Sequence, residues 1–248
     1  MLLKIENVTK GFGAVKAVDG VSFDIHEGEI VGLIGPNGAG KTTLTNLISG
    51  LYKADGGRID FLGTNIVGLP QFKICHLGIS RTYQIPQPFP DLTAIANVVV
   101  GVLCGKHRIN LSFGDALLEA SHCLETVGLF GKRNVLAKDL TLFELRTLEL
   151  ARALATTPKL MIIDEVMAGL NPGQSLRAVR LIRRLKEEYR LTILWIEHVM
   201  KVITEASDRI EVLNYGKKIA EGPPKTVMND PIVIGAYLGK KYARSRKA

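Results

Sequence analysis

An α/β fold around a parallel sheet is what this sequence predicts, with an antiparallel β region and an inserted helical subdomain. Three observations predict it. Short apolar strand patterns alternate with helical patterns at both ends of the chain, the order expected of a parallel sheet. Helical patterns dominate from about 93 to 155, between those ends. One apolar strand, residues 30–35, runs straight into a glycine-rich loop and then a helix.

The elements follow in order. Residues 2–8 and 21–25 alternate apolar and polar and are predicted as half-buried strands, with Asp19-Gly20 turning the chain into the second. Residues 30–35 form a buried strand, and Leu44 to Ser49 a helix ending at a Gly50 cap. A short strand, Arg58 to Leu62, follows the turn Asp55-Gly56-Gly57. Within the helical block the polar patch Gly105 to Asn110 is predicted as a loop. Leu160 to Asp164 is a buried strand, and Gln174 to Arg190 an amphipathic helix with Leu176, Val179, Ile182 and Leu185 on one face. Leu191 to Ile196 is a strand, His198 to Ala206 a helix and Arg209 to Leu213 a strand. Asn214-Tyr215-Gly216 turns into Lys217 to Glu221, and short helices follow Gly222-Pro223-Pro224. The expected division is one domain, 1–248: a core of 1–84 and 158–222, a helical part 85–157, and C-terminal helices with a basic tail, 223–248.

Composition narrows the function classes. The 248 residues are 46% hydrophobic and 23% charged, ordinary for a globular protein. No apolar run reaches the roughly 18–20 residues that span a bilayer, and the start lacks a secretory layout. Cys75, Cys104 and Cys123 are widely spaced, which fits unpaired thiols in a reducing cytosol rather than a disulfide or zinc framework. Net charge is +8, part of it in the tail from Lys240 to Ala248. That tail suits either attraction to anionic lipid or an acidic partner, or a solvated terminus. Basic residues are not interleaved with aromatics as on a nucleic-acid platform, so no nucleic acid is expected.

The decisive run is Gly35-Pro36-Asn37-Gly38-Ala39-Gly40-Lys41-Thr42-Thr43, which fits the P-loop pattern G-x-x-x-x-G-K-S/T. Its glycines let the backbone fold round an anion, and the helix that follows adds partial positive charge. Lys41 is expected to reach the outer phosphates of ATP, and Thr42 to offer its hydroxyl to Mg²⁺. Four apolar residues and then Asp164 supply a second strand, one that bears a carboxylate for Mg²⁺, in the Walker-B manner. Glu165 follows, placed to orient or deprotonate a water. His198 lies at a strand end, where α/β sheets face their ligands, and is expected to donate to the γ-phosphate. Gln84 is a candidate for Mg²⁺ or the attacking water, or is plain polar surface. Phe12 is a candidate to stack on adenine, or packs against its own turn.

With these residues in hand, the chain resembles the ATP-binding subunits of ABC transporters along nearly its whole length. The resemblance rests on the P-loop, Gln84, Leu160 to Glu165, Ala168-Gly169-Leu170-Asn171-Pro172 as the D-loop, and His198. It implies the roles just given, with Phe12 on adenine. It further implies two such subunits head to tail, each ATP lying between one P-loop and the other subunit's signature segment. Within the family it is most similar to subunits of branched-chain amino-acid importers, through Gly78 to Pro86, Pro88 to Thr93, Ile196-Glu197-His198 and the ending Asp230-Pro231 to Tyr237-Leu238-Gly239. Urea, amide and lipopolysaccharide transport ATPases share much of that pattern. Transmembrane permeases and a second ATP-binding subunit are the implied partners, at the cytoplasmic face of the membrane. Gln84 to Leu92 is either the dock for a permease or internal packing.

The signature segment departs from its Leu-Ser-Gly-Gly-Gln pattern. Here it is Leu140-Thr141-Leu142-Phe143-Glu144. Thr141 keeps the hydroxyl and Glu144 is a common substitute, but Phe143 replaces a glycine whose absent side chain lets helix N–H groups approach phosphate. Each charge-assisted hydrogen bond lost there costs roughly 1.5–3 kcal/mol. Val166-Met167 stands where a proline normally follows Glu165. An intact Lys41, Asp164, Glu165 and His198 beside this segment suggests a heterodimer with one competent site; the alternative is a homodimer with both sites impaired. The other readings are a low-turnover regulatory subunit and a soluble ATPase of the same family for translation or DNA repair. The last usually carries two cassettes or a long insertion, and this chain has neither.

Overall fold

The computed structural model describes residues 1–105 and 111–238. The basic tail and most of the loop expected at 105–110 lie outside the described residues. In chain order the strands and helices are β1 (Leu3–Phe12), β2 (Val15–Ile25), β3 (Ile30–Ile34), α1 (Lys41–Ile48), β4 (Gly56–Phe61), β5 (Thr64–Asn65), α2 (Gln71–Leu77), β6 (Ile79–Arg81), α3 (Ala94–Cys104), α4 (Phe113–Thr126), α5 (Leu142–Ala155), β7 (Leu160–Asp164), α6 (Pro172–Tyr189), β8 (Thr192–Ile196), α7 (Met200–Ala206), β9 (Arg209–Asn214), β10 (Lys217–Gly222), α8 (Pro224–Met228) and α9 (Pro231–Leu238). They fall into two compact units, Met1–Gln71 with Thr192–Ala248, and Phe72–Leu191.

The first unit holds two sheet regions. In one, β1 pairs antiparallel with β2 and β4, and β4 with β5. In the other, β3 runs parallel between β8 and β9, and β10 closes antiparallel on β9. Every residue of β3 and β8 is buried, as expected of parallel strands covered on both faces. The β2 strand is longer than the sequence suggests. Asp19-Gly20 is not a turn. Thr9 pairs with Asp19 and Val8 with Val21, so Gly20, at φ 70°, is the extra residue of a bulge inside the strand. The Gly50 cap forms as expected: the Gly50 and Leu51 N–H groups return to Leu47 O and Asn46 O, a Schellman closure.

In the second unit β6 and β7 pair in parallel, Ile79 opposite Leu160 and Arg81 opposite Ile162. Helices α3, α4 and α5 pack on one another. Asn97, fully buried on α3, organises the chain before it. Its Oδ1 accepts from Phe89 N–H, and its Nδ2 donates to the carbonyls of Phe89, Leu92 and Thr93. On α6 the buried face is Ala178, Val179, Ile182 and Leu185, while Leu176 is 51% exposed. Nine residues turn a helix through two and a half turns, so Leu176 points opposite to Leu185. Among the described residues no helix is long and apolar enough to cross a membrane.

Candidate functional site

The glycine-rich loop, residues 35–43, is built in the first unit. It leaves β3 at Ile34 and enters α1 at Lys41. Gly35 (φ 153°) and Gly40 (φ 103°) are required by both backbone angle and space. A Cβ at Gly35 would lie 2.2 Å from the Leu213 carbonyl oxygen, and one at Gly40 2.3 Å from that of Ala17. Neighbouring elements hold the loop: Gly216 N–H donates to Ala39 O, and Asp19 N–H to Gly216 O. Lys41 is buried, and its Nζ donates to Gly35 O at 2.7 Å and Pro36 O at 3.1 Å, so the ammonium lies across its own loop. Thr42 is exposed and Thr43 half-buried. No acidic residue sits in the first turn of α1, which leaves its positive end uncompensated by local side chains.

Two further candidates lie in the same unit. His198 follows β8, which is parallel to β3 with Ile196 opposite Leu33, so both strands end toward the same edge. His198 is exposed, precedes rather than opens α7, and donates its N–H to Glu197 Oε2 at 3.2 Å. Phe12 ends β1 and is 46% exposed. Its ring meets Tyr52 edge-on at 5.4 Å, and Lys10 Nζ lies 5.5 Å from its centre.

The carboxylates are built in the second unit. Asp164 ends β7 and is buried. Glu165, also buried, takes a left-handed backbone at φ 49°, as do Leu62, Thr157, Arg190 and Tyr215 elsewhere in the chain. Gln84 Nε2 donates to Glu165 Oε2 at 2.5 Å. The structure therefore brings Gln84, Asp164 and Glu165 together on the ends of β6 and β7. The segment carrying Gln84 is gripped from α5: Arg146 donates to Tyr83 O, Arg152 to Gln87 O, and Glu149 accepts from Gln87 N–H. Burial pushes the Glu149 carboxyl up, against the pull of the Gln87 N–H and the two arginines.

A family model described as ABC transporter matches residues 18–168, and one described as branched-chain amino acid ATP-binding cassette transporter matches residues 217–243. The chain belongs to the ABC transporter family. It is 38% identical to the high-affinity branched-chain amino acid transport ATP-binding protein BraF of Pseudomonas aeruginosa, over 96% of this chain and 98% of that protein. Its fold superposes with a TM-score of 0.87 on the ADP conformation of an ATP-binding cassette of an ABC transporter, at 34% identity over 96% of this chain and 99% of that one. It also matches a dimeric cassette bound to ADP and Pi, with a TM-score of 0.81 at 27% identity over 90% of this chain and 99% of that one.

In this ABC transporter cassette the segment expected as the signature, residues 140–144, opens α5 with a capping box. Thr141 is the N-cap: its Oγ1 accepts from Glu144 N–H, while Glu144 accepts from Thr141 N–H and hydroxyl. Those bonds, the backbone one foremost, draw the Glu144 carboxyl below its ordinary value. Phe143 is half-buried, and the Arg177 guanidinium lies 5.5 Å from its ring centre. Leu142 meets the 168–172 segment, where a Cβ on Gly169 would come within 2.9 Å of it.

Two residues escaped the sequence reasoning as contributors to the site. Arg81 donates to Asp164 Oδ2, and only its place in a family-like string marked it. Tyr237, in the 217–243 match, brings a buried hydroxyl against the Gly35 backbone without a hydrogen bond of normal geometry. Burial pushes its phenol up to about 12, the Gly35 backbone pulling the other way.

Proposed function

We propose that this chain is the ATP-hydrolysing motor subunit of an importer for branched-chain or related amino acids. The observation that carries the hydrolytic reading is Glu165: a buried carboxylate directly after the apolar strand β7, gripped by Gln84 at 2.5 Å. A subunit that only held nucleotide would have no chemical need for it. The P-loop residues 35–43 cradle the phosphates, Lys41 swinging from its own carbonyls to the outer ones. Phe12 stacks on adenine and His198 donates to the γ-phosphate. Mg²⁺ suits the donor set, since the Thr42 hydroxyl, the Asp164 carboxylate and the Gln84 amide offer hard oxygens. When bound, the ion would neutralise phosphate charge.

The cargo class rests on the likeness to BraF and on the 217–243 match. Urea, amides and lipopolysaccharide are the alternative cargoes. The implied partners are two transmembrane permeases and a second ATP-binding subunit, with this chain peripheral at the cytoplasmic face. Ile85, Phe89 and Leu92 are exposed on a segment fixed from behind by Asn97 and Arg152, which suits the permease dock. Replacing Glu165 by Gln is expected to lower hydrolysis roughly 10²–10⁴-fold while ATP binding persists. Unchanged hydrolysis would remove the reading.

Phe143 supports a narrower statement about assembly. With an aromatic ring and Arg177 over the start of α5, this signature segment serves a partner's nucleotide poorly, while the chain's own Lys41, Asp164, Glu165 and His198 remain complete. The working unit is then a heterodimer with one competent site. Robust, cooperative ATP hydrolysis by the isolated homodimer would sink that statement.

A further inference from the structure

Asp164 is already held by a cation of the chain itself. Arg81 Nη2 donates to Asp164 Oδ2 at 2.8 Å, and the two side chains are 6% and 4% exposed. A carboxylate this deeply buried is costly unless it is paired, and removing one partner of such a pair leaves an uncompensated charge. The residues after Arg81 tighten the same hold. Thr82 Oγ1 accepts from Asp164 N–H at 3.2 Å, and Thr82 N–H donates to Ile162 O at 2.9 Å. The Tyr83 ring centre lies 5.2 Å from the Arg81 guanidinium. Arg81 ends a three-residue strand whose register, Arg81 opposite Ile162, places it two residues short of Asp164 along the neighbouring strand. The guanidinium is thus delivered to the carboxylate by the backbone pairing itself.

We propose that Arg81 is the resident counter-ion of Asp164, a positioning residue that shares the carboxylate with the divalent cation and sets how strongly Mg²⁺ is held. The inference rests on the reading of Asp164 as a Mg²⁺-facing carboxylate. With Arg81 in place, Asp164 is compensated whether or not Mg²⁺ is bound, and the guanidinium opposes an arriving dication. Without Arg81, Mg²⁺ becomes the charge that compensates Asp164. Protein stability and Mg²⁺ binding then become coupled, and the ion is held more tightly.

The test is thermal denaturation of the full chain with ADP, in EDTA and in Mg²⁺, for wild type, Arg81→Gln, Arg81→Lys, Asp164→Asn and the Arg81→Gln/Asp164→Asn pair. Arg81→Gln is expected to lower Tm by roughly 6 °C or more in EDTA, with at least half returned by Mg²⁺. The wild-type Mg²⁺ increment is smaller, and that of Arg81→Lys lies between. The double variant regains part of the loss and shows no enlarged increment. Equal Mg²⁺ increments in wild type and Arg81→Gln would overturn the proposal, leaving Arg81 a purely structural residue. A wild-type increment untouched by Asp164→Asn would instead overturn the reading of Asp164 on which it rests. Should Arg81→Gln not fold, Mg²⁺ titration of a fluorescent ADP analogue on Arg81→Lys decides: apparent Mg²⁺ affinity at least threefold tighter supports the proposal, and an unchanged one refutes it.

Discussion

Glu211 should make this protein lose stability as pH rises through neutrality. It lies on β9 opposite Leu33 of β3 and is fully buried. Arg209 pairs with its Oε1, while Lys218 Nζ stands 3.9 Å from Oε2, which has no hydrogen-bond partner among the described residues. Both cations are shared: Arg209 also binds Glu29 at 3.0 Å and the Asp24 carbonyl, and Lys218 pairs with Glu221. Burial pushes the Glu211 carboxyl up to about 7, against the pull of Lys218 and Arg209, with Glu221 and Glu29 adding to the push. The unfolded chain releases this proton near the ordinary 4.5, the folded chain near 7. Between those values the folded state holds a proton that the unfolded state has lost, so stability falls as pH rises through the window and levels off above it. The loss is about 3 kcal/mol, or roughly 6–12 °C in Tm for a chain of this size. The perturbation is Glu211→Gln, which has no proton to lose. Thermal melts of both proteins at constant ionic strength, from pH 5 to pH 8, should show wild type falling relative to the variant across that range. Parallel curves would refute the reasoning, because they would mean that the shared Arg209 and Lys218 outweigh burial and hold Glu211 ionised.

Further predictions concern packing and polar closure. Asn97→Ala leaves the Phe89 N–H without its acceptor, while the carbonyls of Phe89, Leu92 and Thr93 keep their backbone donors, and should cost about 1–3 kcal/mol in denaturant unfolding. Protease cleavage in the 85–93 segment should accelerate with it. Leu185→Ala, at a site 1% exposed, should cost about 2–5 kcal/mol, whereas Leu176→Ala, at 51%, should stay within roughly 0.5 kcal/mol. Equal losses at the two leucines would reverse the orientation assigned to α6.

The P-loop was legible because its demands are local. Strand, glycines and helix start follow within a dozen residues, and the angles at Gly35 and Gly40 need glycine wherever the rest of the chain goes. Asp164 and Glu165 were legible as the polar end of an apolar strand. The Asp19-Gly20 pair misled because a turn and a bulge use the same positive φ, and only the pairing of β1 with β2 distinguishes them. Strand β6 left no periodic signal in three residues, and its partner β7 begins 79 residues after Arg81. The Arg81–Asp164 pair was therefore beyond local pattern, as was the left-handed backbone of Glu165. Leu176 failed for a plainer reason: steps of three residues drift round a helix, and three such steps carry a side chain to the far face.

The short stretch from Ile79 to Thr93 concentrates the consequences of that long-range pairing. Its first residues form β6, its next side chains hold Asp164 and Glu165, and its later backbone is held by Arg146, Arg152, Glu149 and Asn97. Between these fixed points Ile85 is 74% exposed and Phe89 44%. Two residues, Ile85 and Pro86, separate Gln84, which touches the Glu165 carboxylate, from Gln87, which α5 holds by both its N–H and its carbonyl. A force applied to Ile85 has little slack to absorb it before it reaches the 2.5 Å contact between Gln84 and Glu165. The same helix that holds Gln87 opens with Thr141 and Phe143, so its first turn and the exposed segment share one rigid support. Coupling between a docked permease and ATP hydrolysis would then require no large rearrangement within this unit, only displacement of a segment already tied at both ends.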